Sequence, residues 1–375
     1  MGKVIVVGGG ITGASAAWHL VSQGVDVVLV DRNDAGQATV AGAGVISPGT
    51  SLKAGPEALA YSSLAVRYYP ELLGALGEAG QAETGYEVCG EILCARDEDE
   101  AARIPAMFDL YTRRQQSGMP NMGEVSRIDG LAAKELFPAL GDIPAAIHVS
   151  GAARVDGGLM RNALLGAATG SGVEQRSGSV SLVVEGHTVR GVHLDGERLE
   201  ADAIVLATGA WTNDVLADLG MAIGVEPQRG QIVHIAMPGT DTTRWPIIQK
   251  LSDQYLLAFG PDRIVAGATR ETGSGFDYRL TVGGMQSVLT DALSVAPGLA
   301  TGTVKEWRIG FRPYSRDGMP YLGPVPQAPN VIVATGLGPT GLTLGPYTGK
   351  LAAQLALGEP VEADLESFRI DRPAI

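Results

Sequence analysis

Six residues near the amino terminus, Gly8-Gly9-Gly10-Ile11-Thr12-Gly13, and a carboxylate eighteen positions beyond them, Asp31, have the types and spacing to grip a phosphate-linked ligand. Glycine at position 8 permits a tight turn, glycine at 10 leaves room for a pyrophosphate against the backbone, and glycine at 13 lets the following helix pack closely. The free amides of that helix carry the positive end of its dipole toward the phosphates. An acid about 20 residues further on accepts from ribose hydroxyls, and Asp31 stands near that offset. Such chemistry requires a strand-turn-helix-strand unit around the glycines, so the flanking segments decide the matter.

The flanks comply. Lys3-Val4-Ile5-Val6-Val7 is a short β-branched apolar run without alternation, as expected of a parallel strand covered on both faces. A helix is expected over about 13–23, with Ala14, Ala17, Leu20 and Val21 turned to the sheet and Gly24 at its carboxy-terminal cap. A second strand over 25–30 then delivers Asp31. Dinucleotide binding is the consequence, against the alternative of a glycine-rich structural turn.

The chain has 375 residues, enough for two or three domains of about 150 residues each and a sizeable core. Its net charge of −13, with no basic cluster, argues against nucleic acid or an anionic membrane as a partner. No apolar run reaches the ~18 residues of a membrane span, and the first strand starts too early to leave room for a cleavable leader. A cytoplasmic location is the expectation. The two cysteines, Cys89 and Cys94, fall on opposite faces of a regular strand. Buried thiols are the simplest reading, with a redox pair or covalent cofactor attachment as alternatives.

Further along, the dinucleotide unit returns in pieces. A helix near 158–169 precedes an antiparallel meander over 178–199, which turns at Glu185-Gly186-His187 and Asp195-Gly196-Glu197. Ala203-Ile204-Val205-Leu206 is then a buried strand running into Ala207-Thr208-Gly209-Ala210-Trp211. A last apolar strand, 331–334, opens into Thr335-Gly336-Leu337-Gly338-Pro339-Thr340-Gly341, followed by a helix over about 347–357 capped by Gly358. Two glycine-rich strand ends thus point to one crevice. The intervening segments, 75–150 and 222–318, differ in texture: helical stretches first, then alternating strands at 231–235, 254–259 and 264–268.

In this order the elements resemble the D-amino-acid oxidase superfamily of flavoenzymes, especially its glycine oxidase-like and D-amino-acid dehydrogenase-like members. The resemblance rests on the glycine turn, Asp31-Arg32, Gly36-Gln37-Ala38-Thr39 through Ala43-Gly44-Val45-Ile46-Ser47-Pro48, Ala207 to Trp211, Pro227-Gln228-Arg229-Gly230-Gln231, Gly310-Phe311-Arg312-Pro313, Asp317-Gly318-Met319-Pro320 and the last glycine run. It implies an α/β fold in which a Rossmann-like FAD-binding domain (1–74, 151–221 and 319–375) is interleaved with an α+β substrate domain (75–150 and 222–318) built on a largely antiparallel sheet. It also implies FAD as the cofactor. The contacts expected are Gly8, Gly10, Ile11, Thr12 and Gly13 at the glycine turn, Asp31 on the adenosine ribose, Thr39, Ala43, Gly44 and Val45 along the ribityl chain and ring, Gly338, Pro339, Thr340, Gly341 and Leu342 at the flavin pyrimidine, and also Arg32, Val173, Gly209, Trp211, Gly310 and Arg312.

Arg312, in the family's Gly-x-Arg-Pro motif, is the residue expected to clamp a substrate carboxylate, a task that suits a bidentate guanidinium better than a lysine. Tyr255 either hydrogen-bonds the substrate or packs in the core, and Arg308, on the same strand face as Arg312, lines the entrance or forms a rim salt bridge. Pro339 departs from glycine oxidase-like chains, which place a second arginine in that run. The five histidines, His19, His148, His187, His193 and His234, are expected to be structural, and no metal-ligand spacing is evident. The implied reaction is oxidation of a small amino acid or secondary amine, with hydride passing from Cα to the flavin and the resulting imine hydrolysing to a 2-oxo acid. The alternatives are a 2-hydroxy-acid dehydrogenase, which needs a base, and a catalytically inactive flavin- or nucleotide-sensing binding protein. The electron acceptor, either oxygen or a separate carrier, and assembly as a homo-oligomer stay open.

Overall fold

A parallel sheet forms where the sequence concentrates β-branched residues without alternation. In the computed structural model, which describes residues 2–186, 188–251 and 254–372, six strands lie in the order Tyr321–Val325, Ala328–Thr335, Ala203–Leu206, Lys3–Val7, Asp26–Asp31 and Glu174–Ser177. Every neighbouring pair is parallel except the first. Val4, Val6, Val27, Leu29 and Val205 face a layer of helices, and Ile5, Val7, Val28, Val30, Ile204 and Leu206 face the opposite core. Burial on both sides is why these strands show no polar alternation.

The helical layer consists of Ile11–Ser22, Pro56–Glu78, Gly157–Gly170 and Gly341–Ala356. On the other face lies an antiparallel meander of Val180–Glu185, Thr188–Leu194 and Glu197–Glu200, whose Leu182, Val189, Val192 and Leu194 complete the core. The meander matches the sequence expectation, although His187 at its first turn falls outside the described residues. The helix Pro56–Glu78 runs through the domain boundary expected at residue 74.

The last helix begins at Gly341, earlier than the expected 347, in spite of Pro346 inside it. A proline removes the bond to the carbonyl four residues back and leaves that oxygen without a donor. Here Tyr69 Oη donates to the carbonyl of Leu342 at 2.5 Å, so the orphaned acceptor is satisfied from the neighbouring helix. The first helix likewise starts at Ile11, because Gly10 with extended backbone serves as its N-cap.

A second sheet of nine strands covers the carboxyl ends of the first. Its path runs Glu271–Thr272, Val225–Ala236, Arg263–Gly267, Tyr255–Phe259, Ile247–Lys250, Glu91–Ala95, Ala145–Val149 and Val125–Ile128, with Thr303–Ser315 also paired to Val225–Ala236. All pairs are antiparallel except Ile247–Lys250 with Glu91–Ala95. Residues 75–150 therefore contribute three strands to this sheet as well as helices, where the sequence suggested mainly helices. Ile92-Leu93-Cys94-Ala95 is a short continuous apolar run, a pattern that fits a strand or a buried helix equally. Cys94 belongs with Ile92 to one core and Cys89 packs against another, built around Ala43, Ile232, Ile247 and Leu257; both thiols are free.

The two longest strands, Val225–Ala236 and Thr303–Ser315, carry the residues that face the first sheet. Their register sets Gly230 opposite Gly310 and Gln228 opposite Arg312. A Cβ on Gly310 would come within 2.7 Å of the Ala41 side chain, and one on Gly230 within 2.5 Å of the Arg312 guanidinium. Paired glycines thus let the short helix Ala38–Ala41 and the arginine approach the sheet.

Candidate active site

The carboxyl ends of the parallel strands and the underside of the second sheet enclose one long cavity. That placement follows the rule that open α/β sheets bind ligands beyond the strand ends, where the chain leaves in different directions. At the glycine turn the three expected glycines divide the work. Gly8 has φ +101°, and a Cβ there would meet the Ala207 carbonyl at 2.4 Å; a Cβ on Gly13 would lie 1.8 Å from the Gly8 carbonyl oxygen. Both serve the fold. A Cβ on Gly10 would meet only the Thr39 hydroxyl, at 3.2 Å, so Gly10 keeps space open on the cavity side.

Asp31 fastens this turn to the end of its strand. One carboxylate oxygen accepts from the Gly9 amide and the other from the Asn33 amide and, at 3.2 Å, from Gln37 Nε2. Thr39 Oγ1 accepts from the Ile11 amide at 3.1 Å and ties the segment 38–45 to the first helix. That helix has no side-chain cap at Gly10, which leaves its positive end directed at the cavity. Arg32 donates to Asp34 and reaches Asp214 at 3.5 Å.

Most of the expected contact residues line the cavity: Gly8, Gly10, Ile11, Thr12, Asp31, Arg32, Thr39, Ala43, Gly44, Val45, Gly209, Trp211, Gly310, Arg312, Gly338, Pro339, Gly341 and Leu342, together with Tyr255. Three do not. Gly13 packs the helix against the turn, and Thr340 turns its hydroxyl to the Leu337 carbonyl at 2.8 Å. Val173 is buried in the helical core just before the strand Glu174–Ser177. The lining there comes from Gly178, Ser179 and Val180, at the far end of the same strand. A cavity outside the carboxyl ends draws on residues after a strand and not on those before it, and that rule was the available signal.

Gly44, at φ +100° and with Val155 O 1.8 Å from where a Cβ would stand, lets the chain at 41–45 lie flat along the cavity wall. Opposite, Gly338, Pro339, Gly341 and Leu342 bring the uncapped start of the last helix to the lining. An open helix end at the phosphate position, small residues where a flat ring must approach, and a second open helix end beyond them fit FAD.

Arg312 is half-buried, and its Nη1 donates to the Thr269 carbonyl at 3.0 Å. Burial lowers its affinity for a proton, the facing Tyr255 supports the charged form, and the nearby Arg270 opposes it. Arg270, which no motif marked, lines the same cavity. Arg308 does not: it pairs with Glu306 and donates to the Val40 carbonyl at 2.9 Å, as the rim salt-bridge reading expected. Above the nucleotide side, Phe276 stacks on Trp211 with centroids 4.9 Å apart, and Phe311 meets both rings edge-on.

No described histidine or cysteine lines the cavity. Burial lowers His19 and His234 to about 4, which leaves both neutral, and raises Cys89 to about 11, an inert thiol. Among the described residues no cluster could hold a metal ion, and no helix is long and apolar enough to cross a membrane.

Comparisons with known proteins agree with this geometry. The chain is 40% identical over 370 residues to the oxidoreductase YurR of Bacillus subtilis (strain 168), covering 98% of each. It is 30% identical to a glycine oxidase of Pseudomonas putida, covering 96% of each. The crystal structure of iminodiacetate oxidase from Chelativorans sp. BNC1 superposes with a TM-score of 0.94 at 41% identity, over 98% of both chains. The family described as FAD dependent oxidoreductase (DAO) matches residues 3–355, and the chain belongs to that family.

Proposed function

We propose that the protein oxidises a small amino acid or secondary amine whose carboxylate is held by Arg312, releasing an imine that water converts to a 2-oxo acid and ammonia or an amine. The observation that carries this reading is the Arg312 guanidinium, set in the cavity beside Tyr255 and between the two stretches that fit the flavin. FAD bound in this cavity would supply the two-electron acceptor, taking both electrons as one hydride. The residues of the chain align and shield: Arg312 fixes the carboxylate and with it the Cα–H bond, Tyr255 offers a hydrogen bond, and the second sheet excludes water. The start of the helix Gly341–Ala356 turns its positive end to the lining, where it stabilises negative charge.

An amine brings its own lone pair to drive the reaction, whereas a hydroxy acid needs a base. Among the described lining residues the carboxylates are Asp31 and Asp34, the first bound to the glycine turn and the second paired with Arg32. Neither is placed to serve Arg312's ligand, which favours the amine over the 2-hydroxy acid.

A second guanidinium, Arg270, supports a narrower version: a secondary amine with two carboxylates, of the kind named for the iminodiacetate oxidase structure. It also offers a counterpart to the arginine that Pro339 displaces. The test is steady-state oxidation of iminodiacetate, glycine, N-methylglycine, D-alanine and a 2-hydroxy acid, with the 2-oxo acid identified. Arg270→Gln should lower kcat/KM for iminodiacetate about tenfold or more relative to glycine, the value of one charged hydrogen bond. Turnover of the hydroxy acid alone would defeat the amine reading, and an unchanged ratio would remove Arg270 from substrate selection.

A further inference from the structure

The motif Pro227-Gln228-Arg229-Gly230-Gln231 touches the cavity only through Gly230, yet Arg229 and Gln231 are buried and converge on one shared carboxylate, Glu271. Arg229 Nε donates to Glu271 Oε2 at 3.0 Å and Nη2 to the same oxygen at 2.5 Å. Gln231 Nε2 donates to Glu271 Oε1 at 2.6 Å, and so does Thr269 Oγ1, also at 2.6 Å. Thr269 is pinned further by the strand: its hydroxyl accepts from the Gln231 amide at 3.0 Å and its own amide donates to the Gln231 carbonyl at 3.2 Å. The Thr269 carbonyl then accepts from Arg312 Nη1.

We infer that Glu271 is a positioning residue for the substrate-binding arginine, acting through Thr269, and the inference rests on the reading of Arg312 as the carboxylate clamp. A guanidinium on a long stem has many rotamers to lose, so its affinity for a carboxylate depends on how far it is held before the ligand arrives. Gly230 clears the space into which Arg312 folds, and the Thr269 carbonyl fixes its rotation there. Burial works against an ionised Glu271, but the hydrogen bonds from Thr269, Arg229 and Gln231 outweigh it and lower its proton affinity. The carboxylate therefore stays charged and able to hold the three donors through the neutral pH range.

The experiment uses the FAD-loaded enzyme and acetate as a carboxylate probe, with binding followed through the visible flavin spectrum. Thr269→Val and Glu271→Gln should each weaken acetate about fivefold to tenfold and raise substrate KM similarly, with kcat changed less than about twofold. Thr269→Ser, which keeps the hydroxyl, should bind as wild type. So should Asp277→Asn, which alters the other ion pair of Arg229 and leaves Thr269 anchored. If Glu271→Gln does not fold, Thr269→Val tests the same relay. Wild-type acetate affinity in loaded Thr269→Val or Glu271→Gln, with Arg312→Ala weakened, would overturn the inference alone. Wild-type affinity in Arg312→Ala would overturn the carboxylate clamp and this inference together.

Discussion

Arg312 illustrates how much one side chain can decide. Its guanidinium has an acceptor in the Thr269 carbonyl and a neighbour in Tyr255, but no carboxylate ion-pair partner among the described residues, so its charge faces the cavity. Arg312→Ala should cost roughly 2–5 kcal/mol of transition-state binding, a loss of about 30- to 4,000-fold in kcat/KM for carboxylate substrates. The bound flavin and its yellow colour should remain; unchanged kinetics would take Arg312 out of the site. Glu91 offers a second residue-level expectation. It is fully buried, accepts from Ser47 Oγ, and leaves Oε1 without a hydrogen bond. Burial raises its pKa to about 7, so the folded state holds a proton that the unfolded chain releases near pH 4.5. Stability should therefore fall as pH rises from about 4.5 to about 7, by on the order of 3 kcal/mol, and the penalty should be complete above that. Glu91→Gln should raise Tm at pH 8 and match wild type near pH 5; equal melting at both values would contradict the assignment. Arg312 was legible because Gly-x-Arg-Pro is a motif. Glu271 was not, since its place beside Arg229 comes from a strand pairing across the sheet that spacing along the chain does not reveal, and Arg270, which lines the cavity just before that strand, stands in no motif.

Among the elements, the glycine turn shows how fold and ligand requirements separate. Gly13 is fixed by its contact with the Gly8 carbonyl, while Gly10 has protein only at the Thr39 hydroxyl. Gly10→Val should thus yield folded protein with flavin content close to zero, measured as the ratio of visible to protein absorbance. Full loading would refute the role given to the turn. The strand-turn-helix-strand unit was readable from residues 3–31 because each step has its own local signature. The early start of the last helix was not, because the compensation for Pro346 comes from Tyr69, far away in sequence. Val173 is a different case: it precedes its strand and does not line the cavity, and the carboxyl-end rule applied to the sequence points instead to the residues after Ser177.

At the level of the molecule, two sheets built from alternating segments of the chain meet edge to face around one cavity. The discontinuity was visible in the sequence as the late return of unalternated strands at 203–206 and 331–334, which fall within the strands Ala203–Leu206 and Ala328–Thr335. The extension of the second sheet by residues 91–95, 125–128 and 145–149 was not, since short apolar runs are ambiguous without their partners. The consequence of this architecture is one cavity lined by the glycine turn of the first sheet and by the Arg312 guanidinium of the second.

Anaerobic mixing of the FAD-loaded protein with iminodiacetate and, separately, with its dimethyl ester tests that arrangement most directly. The acid should bleach the flavin rapidly and the ester should not, because only the acid can be anchored by Arg312. Bleaching by neither compound nor any amino acid of the panel, or equal bleaching by acid and ester, would contradict it.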